Sequence, residues 1–271
     1  RSFDDRLLAT FEKVALQGRR RNAPAHPRVE DPRPAIAEMR QIKDSQEIAT
    51  LEKAALISLD GHHQAMAAAT PGMMEYEVQA VLESAFRRGG SVRNGYDSIV
   101  ASGANACVLH YIKNDRRLRK GELLLIDAGA EVGQYTADIT RTFPVSGKFS
   151  EPQKAIYKAV LAAEKAGIRS VKPGARWDAP HKTCIRVLTR ELVKLGLLRG
   201  RLPKLVADGA CRKWFMHGTS HWLGMDVHDV GTYEDADGKP TRFRPGMVLT
   251  VEPGIYLPDE GFGIRLEDDI V

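Results

Sequence analysis

The chain has 271 residues, 43% of them hydrophobic and 28% charged, the makeup of a globular protein rather than a disordered one, and its length allows one large domain or two small ones. No apolar run is long enough for a membrane span, and the N-terminus lacks a signal-peptide core, so no membrane partner and a cytoplasmic location are expected. Cys107, Cys184 and Cys211 are odd in number, far apart and form no CxxC, which argues against a disulfide framework or a cysteine-rich zinc site and fits a reducing compartment.

In chain order, residues 1–35 differ from the rest. An amphipathic stretch from Phe3 to Gln17 leads into a basic run, Arg19-Arg20-Arg21, with Arg28 following. The net charge of +5 is a modest excess. No aromatic residues interleave with these arginines, so a solvated linker or an edge that touches another domain or subunit is expected rather than a nucleic-acid surface. Pro24, Pro27, Pro32 and Pro34 are expected to forbid a helix. Residues 1–35 therefore read as a linker or remnant that follows another domain, and residues 36–271 as the catalytic domain.

From residue 45 the pattern is regular. Asp44 with Glu47 forms a capping box, and a helix is predicted from there towards Ala69, stopped by Thr70-Pro71-Gly72. A second helix spans about 75–88 and ends at Gly89-Gly90. Strands are expected at Ser98–Ala101, Glu122–Ala128 and Tyr135–Thr142, the last two forming a hairpin around residues 131–134. The order then recurs: a helix over 151–170 stopped by Pro173-Gly174, a helix over 178–195, and strands at Val248–Val251 and Gly263–Leu266. The recurrence suggests two α/β halves related by an internal duplication with a site between them, although two such pairs can also arise by chance.

The apolar run before Asp127 is a strand that ends in a carboxylate, and Asp138 follows on the partner run. Met247–Val251 likewise ends in Glu252, and Glu267 alternates with Arg265. An ionised carboxylate on an apolar strand is costly unless paired or metal-bound. Convergence of Asp127, Asp138, Glu252 and Glu267 would gather about four negative charges, which two divalent cations would neutralise. Residues 214–229 add His217, His221 and His228. His217 and His221 have the spacing of a zinc-protease helix, but Gly218 stands where its catalytic Glu would be, so that motif is rejected. One histidine among carboxylates suits manganese, cobalt, iron or zinc, and the oxygen-rich set favours manganese. His110, flanked by apolar residues, would on its own read as a core histidine.

The segments IDAGAEVGQYTADITRTFPVSG, FMHGTSHWLGMDVHDVG, GMVLTVEPGIY and GIRLEDD together resemble the pita-bread metallopeptidases, and within them bacterial Xaa-Pro aminopeptidase, from about residue 36 onward. The resemblance implies a duplicated α/β pita-bread fold. It also implies two divalent metals, Mn2+ before Co2+ or Zn2+, held by Asp127, Asp138, His221, Glu252 and Glu267. Glu252 would take a proton from the water between them. His110 would lie near the scissile bond and His228 would steady the tetrahedral intermediate. His217, Arg265, Tyr96, Tyr256 and Trp222 would contact substrate, His217 and Trp222 in the wall of a proline pocket. The implied substrates are peptides with proline at position two, whose first bond is a tertiary amide without an N–H. A homo-oligomer, dimer or tetramer, is implied where the family's N-terminal domain is present. That domain is not found here and the family continues past the position of Val271, so the chain reads as a fragment.

A prolidase acting on Xaa-Pro dipeptides is the runner-up. Methionine aminopeptidase lacks the His217 position, and creatinase-like members lose the metal ligands. A non-catalytic pita-bread binding module is the reading from another class, set back by the intact set of five.

Overall fold

The computed structural model describes residues 2–19, 30–235 and 237–271, in two compact units, Arg1–Ile36 and Ala37–Val271. The first contains α1 (Phe3–Arg19), with Asp4 and Asp5 in its first turn, where the helix dipole favours acids. Here the expectation of a helix-free, proline-rich linker is corrected at its end. Helix α2 (Arg33–Gln41) includes Pro34 in its first turn, a position with no intrahelical N–H bond to lose. Arg20, Arg21, Pro24, Pro27 and Arg28 lie outside the described residues.

In the second unit, α3 (Ser45–Ala68) starts at the expected capping box: Asp44 accepts from the backbone of Gln46 and Glu47, and Glu47 accepts from the backbone of Asp44. The Pro71-Gly72 turn, with Gly72 at φ +102°, leads to α4 (Glu75–Arg88). There follow β1 (Arg93–Asn94), β2 (Ile99–Ser102), β3 (Leu123–Asp127), β4 (Ala130–Val132), β5 (Tyr135–Thr136) and β6 (Thr140–Pro144). The second half repeats the plan. α5 (Glu151–Ser170) and α6 (Ala179–Lys194) flank a Pro173-Gly174 turn with Gly174 at φ +83°. Then come α7 (Leu202–Ala207), β7 (Leu249–Val251), β8 (Gly254–Leu257), β9 (Phe262–Arg265) and β10 (Asp268–Ile270).

β3 lies at the centre of the antiparallel sheet β2-β3-β6, and β8-β9 and β7-β10 pair antiparallel. The single hairpin expected over 122–142 is corrected to two nested pairings, β3 with β6 outside and β4 with β5 inside. The chain leaves the ladder at Ala137–Ile139 because Gly129 and Ala137 cross there: a Cβ on Gly129 would lie 1.7 Å from the Ala137 carbonyl oxygen. Asp138 is thereby freed from any strand, and its N–H donates to Asp269 Oδ2 instead (3.1 Å).

The strand period of two aims the chemistry. On β3, Leu124 and Ile126 pack with Val78, Leu82 and Phe86 of α4. Leu125 lies on the other face with Ile99, Ala101 and Tyr111, and Asp127 shares that face by alternation. Helices α5 and α6 cover β8 and β9 through Ile156, Val160, Leu188, Ile255 and Ile264. Each half thus buries one sheet face under a helical hairpin and turns polar strand ends the other way. No described helix is long and apolar enough to cross a membrane.

Candidate metal centre

A cavity of about 280 Å³ opens among those strand ends, and Asp127, Asp138, His221, Glu252 and Glu267 all line it. One ligand atom each from Asp138, His221 and Glu267 lie within 4.8 Å of one another. His221 Nε2 is 3.3 Å from Asp138 Oδ2 and 3.7 Å from Glu252 Oε1. Three backbone bonds seat His221 beside Glu252 by running its segment along β7: Leu223 N–H to the Val248 carbonyl, Thr250 N–H to the His221 carbonyl and Glu252 N–H to the Thr219 carbonyl.

The protein supplies few positive charges here. Arg265, 4% exposed, donates to Asp127 Oδ2 at 2.5 Å and also to Tyr256 Oη and Thr140 Oγ1. The Tyr96 hydroxyl lies 2.7 Å from Asp127 Oδ1 and 2.6 Å from Asp138 Oδ1, yet it has one proton to donate. Burial raises Glu252 to about 8, only partly offset by His221 and Arg265. Burial and then the neighbouring acids push Glu267 well above the carboxylate range, and burial and Asp127 raise Asp138. Burial disfavours the His221 cation, but Asp138 and Glu252 override it and raise the imidazole to about 9. This donor set calls for positive charge. Its carboxylate oxygens and one imidazole fit divalent cations, and the Nδ1–H of His221 points at the Trp222 carbonyl (3.0 Å), so Nε2 is the nitrogen a cation would take on displacing its proton.

The other histidines rim the cavity. His217 Nδ1 lies 2.7 Å from the Gly218 carbonyl and Nε2 2.7 Å from Tyr256 Oη. A carbonyl only accepts, so Nδ1 carries the proton and Nε2 accepts from the tyrosine. Burial, then Arg265, lowers His217 to about 4 and keeps it neutral. The His228 ring stands edge-on to His221 at 4.4 Å, and burial lowers its pKa as well. His110 lines the cavity as well. A second cavity, about 210 Å³, shares His110, His228, Asp127 and Asp138 with the first and is also lined by Tyr96.

The model of metallopeptidase family M24 matches residues 49–271. The chain belongs to that family. Xaa-Pro aminopeptidase of Escherichia coli K12 is 45% identical over all of this chain and 63% of its own length. Human Xaa-Pro dipeptidase is 36% identical over 88% of this chain and 57% of its own. The structure of Pseudomonas aeruginosa aminopeptidase PepP superimposes with a TM-score of 0.91 at 44% identity, covering 99% of this chain and 62% of that one. The chain thus spans about six tenths of the length of these relatives. The fold is the pita-bread α/β fold of M24, and membership implies divalent metal ions at the centre.

Two expected pocket residues are corrected. Trp222 is fully buried, its ring 4.1 Å from Trp177 in a cluster with Phe243 and Leu249, so it forms no wall of the cavity. Its neighbour His221 takes the cavity side of the extended segment, and alternation sends Trp222 to the other. Tyr256, also fully buried, reaches His217 and Arg265 through its hydroxyl rather than presenting a face to the cavity. Other supports carried no signal in the sequence. Thr140 Oγ1 donates to Glu267 Oε2 (2.5 Å), Thr250 Oγ1 accepts from the His221 N–H, and Arg141 donates to the Glu267 carbonyl and to Asp268. The acids after Glu267 were the one available hint, since Asp269 accepts from the Asp138 N–H.

Proposed function

We propose that this M24 chain is the catalytic part of an Xaa-Pro aminopeptidase, hydrolysing the first bond of peptides with proline at position two. The observation that carries the reading is the convergence of four carboxylates and His221 on one cavity, with Arg265 the single guanidinium lining it among the described residues. Asp127, Asp138, His221, Glu252 and Glu267 would hold two divalent ions, Mn2+ fitting the oxygen-rich set best. When bound, such ions supply an acidified water and an electrophile for the scissile carbonyl.

The remaining roles belong to the chain's own side chains. Arg265 fixes Asp127 Oδ2, and the Tyr96 hydroxyl stands between Asp127 Oδ1 and Asp138 Oδ1. The Glu252 side chain is the most open of the three acids Asp127, Asp138 and Glu252, at 18% exposure, and is the one placed to accept a proton at a carboxylate oxygen. His228 and His110 line both cavities, at the boundary where a scissile carbonyl would lie. Neutral His217 faces the first cavity, which would take the proline ring, while the second would take the first residue's side chain. Three unpaired cysteines are consistent with a cytoplasmic setting. Assembly into a homo-oligomer and a catalytic domain over 36–271 are proposed on the family resemblance.

The test is release of the first residue from an Xaa-Pro-Pro peptide, an Xaa-Pro dipeptide and a Met-Ala-Ser peptide, using chelator-stripped protein with and without Mn2+. Metal-dependent release from the Xaa-Pro-Pro peptide, with none from Met-Ala-Ser, is expected. Turnover of the dipeptide alone would favour the prolidase reading, to which the human dipeptidase relative lends some support. Stoichiometric metal binding without turnover of any peptide would sink the enzymatic reading.

A further inference from the structure

Glu75, the first residue of α4, is a fully buried carboxylate. Among the described residues it enters no ion pair, and the Arg116 guanidinium nearby is engaged by Glu122 and Ser102. Five donors surround it instead. Oε1 accepts from the Ser102 N–H (2.6 Å), the Ser102 hydroxyl (2.7 Å) and Asn105 Nδ2 (3.1 Å). Oε2 accepts from the Arg116 N–H (2.9 Å) and from the Tyr111 hydroxyl (2.8 Å). Both carboxylate oxygens are thus hydrogen-bonded, and these donors all come from the segment 102–116.

That segment carries His110. The imidazole is exposed and makes no hydrogen bond of its own among the described residues, and Val108 and Ile112 on either side are exposed as well. Tyr111 is the buried exception, at 8% exposure, seated against Ile99, Ala101 and Leu125. Asn114, buried at φ +48°, pins the loop further on through bonds with Val100, Ser98 and Gln79. The anchor adjacent to His110 is therefore Tyr111, and the tether of Tyr111 is Glu75.

We propose that Glu75 and Tyr111 are positioning residues for His110: the buried carboxylate holds the tyrosine hydroxyl, and the tyrosine fixes where the neighbouring imidazole stands at the cavity rim. This rests on the reading of His110 as a group beside the scissile bond. Asp115 Oδ1 also lies 3.0 Å from the Tyr111 hydroxyl, but it is exposed. A single hydroxyl proton is better given to the nearer, buried acceptor.

Tyr111→Phe is the gentlest variant, since it removes one hydroxyl and keeps the ring. Steady-state kinetics on an Xaa-Pro-Pro peptide with Mn2+ should show kcat lowered about tenfold with KM changed less than about twofold. In the His110→Ala background the same change should cost less than about twofold, because a residue acting through His110 has nothing left to act on. Equal fold-losses in the two backgrounds, or no loss from Tyr111→Phe, would overturn the proposal. Asp115→Asn should leave kcat unchanged; if it reproduces the loss, Asp115 and not Glu75 holds the tyrosine. A crystal structure of Tyr111→Phe tests the same claim without turnover. Residues 108–112 should be displaced or disordered while the rest superimposes, and an unmoved loop would overturn the inference even if wild-type protein released nothing from any peptide, the outcome that counts against the functional reading itself.

Discussion

Glu75 and Glu267 are both carboxylates withdrawn from water, at 0% and 2% exposure, and the protein treats them in opposite ways. Glu75 is met by five N–H and O–H donors. Glu267 has one hydroxyl, from Thr140, and is packed among Asp127, Asp138 and Glu252. The first arrangement is complete without a cation and belongs to the architecture. The second is unfavourable until positive charge arrives, the mark of a site kept for chemistry at some cost in stability.

This contrast is sharpest in activity. Glu267→Gln should lower metal-dependent peptide release about 10³-fold or more, roughly 4 kcal/mol of barrier, and cut the metal bound per chain measured by calorimetry. The metal-free form should unfold at the same or higher urea concentration, because burial and the neighbouring acids disfavour the charged form of the carboxyl that the amide replaces. Glu75→Leu should behave in reverse, losing about 3–4 kcal/mol of unfolding free energy as its five donors are orphaned. If the two variants destabilise metal-free protein equally, the distinction between the carboxylates is wrong.

His62, on α3, offers a third treatment of a buried titratable group. Its Nε2 lies 3.1 Å from the Ala128 carbonyl, to which it donates, while Nδ1 is buried without a partner. Burial lowers it to about 4, below its unfolded value, so the unfolded chain binds the extra proton. The associated stability is fully present above the ordinary histidine range and is lost as pH falls from about 6.5 towards 4, by on the order of 3 kcal/mol. His217 contributes a slope over the same window, so urea titrations should show a steeper dependence in wild type than in His62→Gln, the difference being the His62 share; parallel slopes in both would show that His62 contributes none. The smallest effect is that of metal itself. Divalent cation at about a hundred times its Kd should stabilise stripped protein by about 2.7 kcal/mol, and thermal melts should show the same gain in Glu75→Gln but little in Glu267→Gln.

Much of this was legible beforehand. The helix starts and stops at Asp44, Pro71-Gly72 and Pro173-Gly174 rest on capping and turn chemistry that operates within a few residues, and they fall where expected. Apolar strands ending in acids are likewise a local pattern. Pro34 misled because proline's effect depends on its place in a turn, and the 122–142 hairpin because a crossing at Gly129 is invisible in a linear pattern.

By itself, then, the sequence determined the helical hairpins, the apolar strands and the identity of the acids and histidines able to form a centre. The tertiary structure alone decided that Thr140 reaches Glu267, that Trp222 turns into the core while His221 faces the cavity, and that Glu75 grips the loop of His110. Those contacts join residues far apart in the chain, or choose one side of an extended segment. No rule of a few residues' reach can encode either; they are settled only when burial forces each polar group to find its partner.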